Sequence, residues 1–183
     1  MVTHKGIQEL KTERLLLRKI MSDDAEMVYK WMSDPEVIKY EDWTPHQNID
    51  YTRGYIMHVF GDYSSNQSYN WGIELNNELI GHVVVVDIND RKGSIGYYLR
   101  KDFWLKGYTT EAVKAIVKYM LFDVGIGKIE AKHSIKNIAS GKVLKKIGMV
   151  YKGHVKEVYF SNLEWQDCDY YSITKEEYKE KRI

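Results

Sequence analysis

Two hydrophobic rhythms alternate along the chain. From 69 to 75, Tyr69, Trp71, Ile73 and Leu75 fill every second position, the period of a strand with one buried face. "NNEL" predicts a hairpin turn into Leu79–Ile88, whose valines at 83–86 predict a strand covered on both faces. After a turn at Asn89–Lys92, Ser94–Leu99 predicts a third strand with Ile95, Tyr97 and Leu99 on one face. The rhythm then changes. Ala112, Val113, Ile116, Val117, Met120 and Leu121 make the broad stripe of an amphipathic helix, stopped by Gly125 and Gly127.

The flanking segments follow the same two periods. Arg14–Ile20 predicts a strand, and Asp23 with Glu26 three residues on predicts a capped helix through Met27, Val28, Trp31 and Met32. Ile49–Phe60 predicts a second helix and Lys128–Ser134 another strand. Asn137 opens a short helix with Val143, Leu144 and Ile147 inward, ended by Gly148. Tyr151–Phe160 and Asp167–Thr174 predict a long hairpin around "SNLEWQ". The resulting order is β-α-α-β-β-β-α-β-α-β-β, a mixed α/β fold with a partly antiparallel sheet.

Composition narrows the possible functions. A length of 183 residues predicts one domain over 1–183. The net charge of +1 argues against a general nucleic-acid binder. One cysteine, Cys168, excludes an internal disulfide and suits a reducing compartment. No stretch approaches the ~20 apolar residues of a membrane span, and the N-terminus lacks a signal-peptide core. The expectation is a cytoplasmic protein with neither a membrane nor a nucleic-acid partner.

The stretch "FWLKGYTTEA" (103–112) joins a predicted strand to a predicted helix. A helix start exposes unpaired N–H groups and about half a positive charge, a natural anion site. Gly107 leaves that backbone open, Lys106 adds charge, and Thr109 and Thr110 are small and carry hydroxyls. The same residues would also serve a plain tight turn, with Glu111 merely favourable in the first helical turn. Neither G-x-x-x-x-G-K-[ST] nor G-x-G-x-x-G occurs. Further on, positions 132–156 hold seven lysines (132, 136, 142, 145, 146, 152, 156) and no acid. Alone they describe a solvated face. A crossover helix would set them beside the glycine loop, where strand ends, loop and basic helix together could hold an extended polyphosphate.

Together these segments resemble the GCN5-related N-acetyltransferase (GNAT) family, most closely its RimJ/RimL-type branch acting on ribosomal-protein N-termini. "KTERLLLRKI" is similar to that branch's opening strand and "IGYYLRKDFWLKGYTTEAVKAIVKYM" to its acetyl-coenzyme A motif. "NIASGKVLKKIGM" resembles the helix flanking the pantetheine arm, and "GHVKEVYFSNLEWQDCDYYSITKEEY" the closing hairpin. The resemblance implies a mostly antiparallel twisted sheet flanked by helices, splayed between the family's fourth and fifth strands. It implies that Tyr98 and Leu99 pair with the pantetheine amides through their backbone. Leu105, Lys106, Gly107, Tyr108, Thr109 and Thr110 would form the pyrophosphate loop. The loop's usual leading Gln or Arg is Trp104 here, and its usual final Gly or Ala is Thr109. Asn137 would contact the pantetheine arm, Ser140 would sit at the thioester sulfur as the catalytic hydroxyl, and Lys142 would face the ADP 3′-phosphate.

The implied reaction is transfer of an acetyl group from acetyl-CoA to a primary amine by direct attack, without a metal. It needs a neutral amine, donors for the developing oxyanion and a proton for the leaving thiolate. Ser94, Gly96 and Tyr98 alternate on the strand where some family members carry a glutamate base. In the closing hairpin the nearest match to a relative's glutamate is Tyr159, with Glu157 two residues away. No base is assigned by these patterns. Residues 21–50 hold eight acids (Asp23, Asp24, Glu26, Asp34, Glu36, Glu41, Asp42, Asp50) with Trp31, Tyr40, Trp43, Tyr51 and Tyr55 among or after them. They suit a cationic acceptor such as a protein N-terminus, a polyamine or an aminoglycoside, and equally suit solvated helix faces over a core. The family also implies a possible homodimer. A catalytically silent acyl-CoA-binding or sensor module is the alternative on the same fold, and a ligand-free structural domain is a third. The six histidines have no metal-ligand spacing, and Ser140 lacks the G-x-S-x-G context of a hydrolase nucleophile.

Overall fold

The alternation at 69–75 becomes strand β3 (Tyr69–Leu75), with Trp71 and Ile73 wholly enclosed. A computed structural model describes residues 2–41, 43–89, 91–160 and 164–181. Asp42, Asp90 in the expected turn, and Ser161–Leu163 at the hairpin tip lie outside the described residues. The chain runs β1 (Leu10–Lys11), β2 (Leu16–Arg18), α1 (Ala25–Met32), α2 (Ile49–Asp62), β3 and β4 (Glu78–Val86). Then come β5 (Lys92–Leu99), α3 (Tyr108–Tyr119), β6 (Lys128–Ser134), α4 (Ile138–Lys146), β7 (Val150–Phe160), β8 (Glu164–Thr174) and α5 (Lys175–Glu180). Among the described residues these form an eight-stranded sheet in the order β1-β2-β3-β4-β5-β6-β8-β7. Only the β5–β6 contact among the described residues is parallel.

Each face of the sheet carries its own core. On one face Val113, Ile116, Val117 and Met120 pack with Trp71, Val83, Val85, Ile129 and Ile173. On the other, Val28, Trp31 and Met32 of α1 and Ile56 of α2 pack with Ile20 and Leu79. A register shift between Ile73 and Glu74 leaves Ile80 as the extra residue of β4 and resets its alternation, so that Ile80 serves the first core and Leu79 the second. Gly81 sets the spacing of the centre, since a Cβ there would stand 2.4 Å from the Tyr98 carbonyl oxygen.

β5 and β6 pair only from Lys92–Ser94 to Lys128–Glu130. Beyond that β6 stays bonded to β8 through Ser134 while β5 stays bonded to β4 through Leu99. Each strand follows its own antiparallel partner, so the sheet opens between them. This is the expected splay, counted one strand later because the opening strand is broken. Thr12 N–H donates to Leu15 O at 3.0 Å, and Leu15 N–H to Thr12 Oγ1 at 3.0 Å, which turns Arg14 out of the sheet.

Two other local expectations change. Asp24, not Glu26, caps the first helical segment by accepting from Met21 N–H at 2.7 Å. α5 carries a capping box, Thr174 with Glu177, that is written in the sequence as T-K-E-E. No helix among the described residues is long and apolar enough to cross a membrane.

On the β7–β8 ribbon, His154 bridges Asp169 (Nδ1 to Oδ1, 3.1 Å) and Asp167 (Nε2 to Oδ2, 3.1 Å). Asp169 first and Asp167 second raise the imidazole pKa. A raised folded value contributes stability below the unfolded value near ~6.5, lost as pH rises through the folded value. Urea midpoints compared at pH 5.5 and 8.5 should therefore fall with pH more in the wild type than in His154→Gln. Equal pH dependence in both would remove the ribbon clasp from the stability balance.

Candidate active site at the strand splay

Backbone register decides which groups of β5 face the opening. Arg100 N–H donates to Ile80 O at 2.9 Å, so Arg100–Ile80 is a hydrogen-bonded pair, as are Tyr98–His82 and Gly96–Val84. The main-chain groups of Tyr98 therefore face β4. Those of Ile95, Tyr97 and Leu99 face the splay. Leu99 O accepts the Trp104 indole N–H at 2.7 Å, which folds the following loop back over the strand end. Of the two residues expected to offer their backbone, Leu99 has the right parity and Tyr98 does not; Tyr97 does.

The loop from Trp104 to Tyr108 is bent by two left-handed residues. Leu105 has φ +62° and a fully exposed side chain, and Gly107 has φ +86° as the residue preceding α3. A non-glycine residue in that conformation is uncommon. The alternation of left-handed and ordinary backbone gathers successive N–H groups into a concave anion cradle continuous with the helix start. Thr109 and Thr110 are half-buried in the first turn of α3, while Lys106 folds back to donate to Asp102 O at 2.9 Å.

A clamp beneath this loop fixes its shape. Glu111 Oε1 accepts from Thr12 Oγ1 at 2.6 Å and Arg14 N–H at 2.8 Å, while its Oε2 accepts from Arg14 Nε at 2.7 Å. The same guanidinium donates to Lys106 O at 3.0 Å and lies 4.5 Å over the Tyr108 ring. Burial alone would raise the Glu111 pKa. The Thr12 and Arg14 hydrogen bonds outweigh it, so the carboxyl lies below its ordinary range.

Across the splay, Asn137 caps α4 by accepting from Ser140 N–H at 3.1 Å. The Ser140 hydroxyl lies 2.8 Å from Tyr97 Oη, which also stands 3.1 Å from Ser140 O. One phenolic proton cannot serve both acceptors. When it goes to Ser140 Oγ, the serine proton is available to another acceptor. Burial raises the Tyr97 pKa strongly, against the opposing Ser140 hydrogen bond, so the phenol stays protonated. His133 lies beneath α4 with Nδ1 2.7 Å from Ser134 O, and a Cβ at Gly141 would stand 2.7 Å from its Nε2. Its ring is a floor for α4.

The lysine run divides. Lys142, Lys145 and Lys146 are exposed on α4, whereas Lys152 pairs with Glu177 at 3.0 Å.

The family profile "Acetyltransferase (GNAT) domain" matches residues 14–150. The chain belongs to the GNAT acetyltransferase family. It is 31% identical over 172 residues to the uncharacterized N-acetyltransferase YnaD of Bacillus subtilis, covering 92% of this chain and 98% of that protein. A crystal structure of a GNAT-family acetyltransferase from Bacillus anthracis aligns with TM-score 0.83 and 31% identity, over 92% of this chain and 99% of that one. RimL, a ribosomal L7/L12 alpha-N-protein acetyltransferase solved with coenzyme A, shares the fold at TM-score 0.84 and 18% identity, over 91% of this chain and 98% of that one. This GNAT protein is thus an acetyl-CoA-dependent N-acyltransferase.

Sequence reading passed over Arg14, Thr12 and Tyr97 in this GNAT site. Arg14 and Thr12 lie about a hundred positions from Glu111, so no local pattern announces them. Tyr97 read as one of three core residues on a strand face, although its hydroxyl needs a polar partner when buried. The clamp yields a direct test. Glu111→Gln turns an amide donor toward Arg14 and should weaken CoA binding about tenfold by calorimetry. Undiminished affinity would reduce the clamp to a surface ion pair.

Proposed function

We propose that the protein binds acetyl-CoA along the open edge of β5 and transfers its acetyl group to a primary amine by direct attack. The carrying observation is the splay itself. Beyond Ser94 the strand offers backbone donors and acceptors to an extended amide-containing arm, with an anion cradle at one end and a hydroxyl pair beside it. These residues fit the requirements of the cosubstrate: amide-pairing groups for pantetheine, N–H groups for a pyrophosphate, and cations for a 3′-phosphate. Bound there, acetyl-CoA supplies an acetyl group activated as a thioester.

The residues have separate roles in this reading. Tyr97 and Leu99 pair with the pantetheine arm, and Leu105 to Thr110 receive the pyrophosphate, with Trp104 holding the loop against Leu99. Asn137 fixes the first turn of α4. Lys142 meets the 3′-phosphate. Ser140 donates to the leaving sulfur, and Tyr97 reorients so that the serine proton is available. The demand on that proton is modest because a thiol pKa near ~8.5 already makes thiolate a fair leaving group. The acceptor class is a primary amine, with a protein N-terminus, a polyamine or an aminoglycoside as candidates. RimL acts on a ribosomal protein α-amine, which favours testing a peptide first.

The deciding experiment is CoA release from acetyl-CoA with a panel containing a peptide α-amine, spermidine and kanamycin. Amine-dependent release is expected from at least one, and none from any of them would overturn the assignment.

Two variants test the site itself. Gly107→Val should weaken CoA about thirtyfold, since a branched side chain is strained at positive φ and obstructs the cradle. Ser140→Ala should lower kcat roughly ten- to a hundredfold with the acetyl-CoA Kd unchanged, the signature of an interaction made in the transition state. A loss wholly in affinity would assign Ser140 to binding alone.

A further inference from the structure

Neighbouring tyrosines of β5 reach opposite faces and different partners. Tyr97 meets Ser140 on the α3 side. Tyr98, on the α1–α2 side, donates to Glu41 Oε2 at 3.2 Å. Glu41 belongs to the segment following α1 and is half-buried. Trp43 stands edge-on to the Tyr98 ring at 5.2 Å and 65°, and His82 lies against the same ring at 6.0 Å. The Glu41 charge is felt at the Tyr97 hydroxyl, where it adds to burial in keeping the phenol protonated. A carboxylate and a hydroxyl pair thus flank the same two residues of the splayed strand.

We propose that Glu41 is the carboxylate that receives the acceptor, binding its ammonium and taking the proton that must leave before attack. The proposal rests on the acetyl-transfer reading and deepens it. It commits the acceptor to a cationic primary amine with an apolar flank that can lie on the Trp43 and Tyr98 rings, where aromatic faces also favour a cation.

Other proton acceptors near the site are enclosed or stand in solvent. His82 is buried and held neutral, its pKa lowered to about 4 by desolvation. Its Nε2 lies 3.0 Å from Asn70 Oδ1, and Asn70 spends its amide protons on Asp62 and Ser68. Nε2 must therefore carry the proton, and Nδ1 accepts from Tyr55 Oη at 3.2 Å. His133 turns Nδ1 to Ser134 O, and its Nε2 is buried beneath α4 at Gly141. Glu157 is exposed at a bulge in β7, where its N–H donates to Asp167.

The step balances without another reactant. One nitrogen proton passes to the Glu41 carboxylate and on to water. The nitrogen lone pair bonds the acetyl carbon and the carbon–sulfur bond breaks. The second nitrogen proton passes through water to the Ser140 hydroxyl as that hydroxyl gives its own proton to the departing sulfur. Amide, thiol and one released proton result.

The test is calorimetry on the CoA-saturated protein, titrated with a hexapeptide amide bearing a free α-amine, with spermidine and with kanamycin. Glu41→Gln should weaken the tightest of these at least about tenfold. It should leave unchanged both the CoA affinity and the affinity for the acetylated form of the same compound. Glu41→Asp should keep the preference for the free amine. Tyr98→Phe, which releases the carboxylate from its orienting hydroxyl, should cost roughly three- to tenfold and decides the matter if Glu41→Gln does not fold. Equal amine affinity in wild type and variant, or binding of none of the three compounds, would overturn the proposal. Failure of the acetyl-transfer reading looks different: Glu41-dependent amine binding would persist while the wild type released no CoA.

Discussion

The parting of β5 from β6 after Ser94 and Glu130 is the constraint on which the rest depends. Continued parallel pairing would bury the backbone groups of Ile95, Tyr97 and Leu99 in a ladder, leaving a sheet with no edge to offer. Divergence is secured by the antiparallel pairings on either side, each running to the end of its strand. An open edge in the middle of a sheet invites pairing with any extended chain. Here it is narrowed by Trp104 folding onto Leu99 and by Ser140 meeting Tyr97. A slender amide-bearing arm suits the space better than a β-strand with side chains on both faces.

Beside this opening, the anion cradle is an unfavourable structure held by favourable ones. Left-handed Leu105 and Gly107 hold the backbone in a conformation that costs energy, most of all at Leu105 with its side chain. Arg14 counteracts this by donating to both oxygens of Glu111 and to the carbonyl of Lys106. That fixes the Lys106 carbonyl and with it the peptide plane between Lys106 and Gly107. Glu111 therefore does more than complement the helix dipole, for its two oxygens fasten the first turn of α3 to the broken opening strand. The break between β1 and β2 is what allows Arg14 to reach.

Much of the architecture was legible because periodicity is a local signal. The stripe from Ala112 to Leu121 fixed an element and its buried face, whereas the alternation at Tyr69–Leu75 fixed the strand but not its burial, since Tyr69 to Ile73 are covered on both faces. The four quoted motifs identified the family. Less legible was anything decided by long-range register. Arg14 reads as a strand residue until Thr12 and Leu15 close a turn around it. The backbone parity of Tyr97 and Tyr98 depends on the pairing with β4, which no single segment encodes. Asn137 read as a cosubstrate contact, yet its visible work is capping α4, a role its position before the helix already suggested. The lysine run looked uniform in sequence, but Lys152 spends its charge on α5 through Glu177.

Strand geometry explains why the functional groups of β5 come in neighbouring pairs. Successive side chains on a strand point to opposite faces, so two adjacent tyrosines reach both layers of the protein from one short stretch of backbone. A helix could not do this, because neighbours on a helix lie only about 100° apart. Tyr97 and Tyr98 thus connect α4 on one face to the segment after α1 on the other. The backbone between them is held to β4 by the Tyr98–His82 pair, and β4 is brought close by Gly81, where no side chain fits. Any displacement of β5 would move both hydroxyls together. The positions of Ser140 and Glu41 relative to the open edge are therefore coupled through a rigid strand. A site whose two halves arrive on different faces of the sheet needs such a spine, and β5 supplies it while leaving its outer edge available.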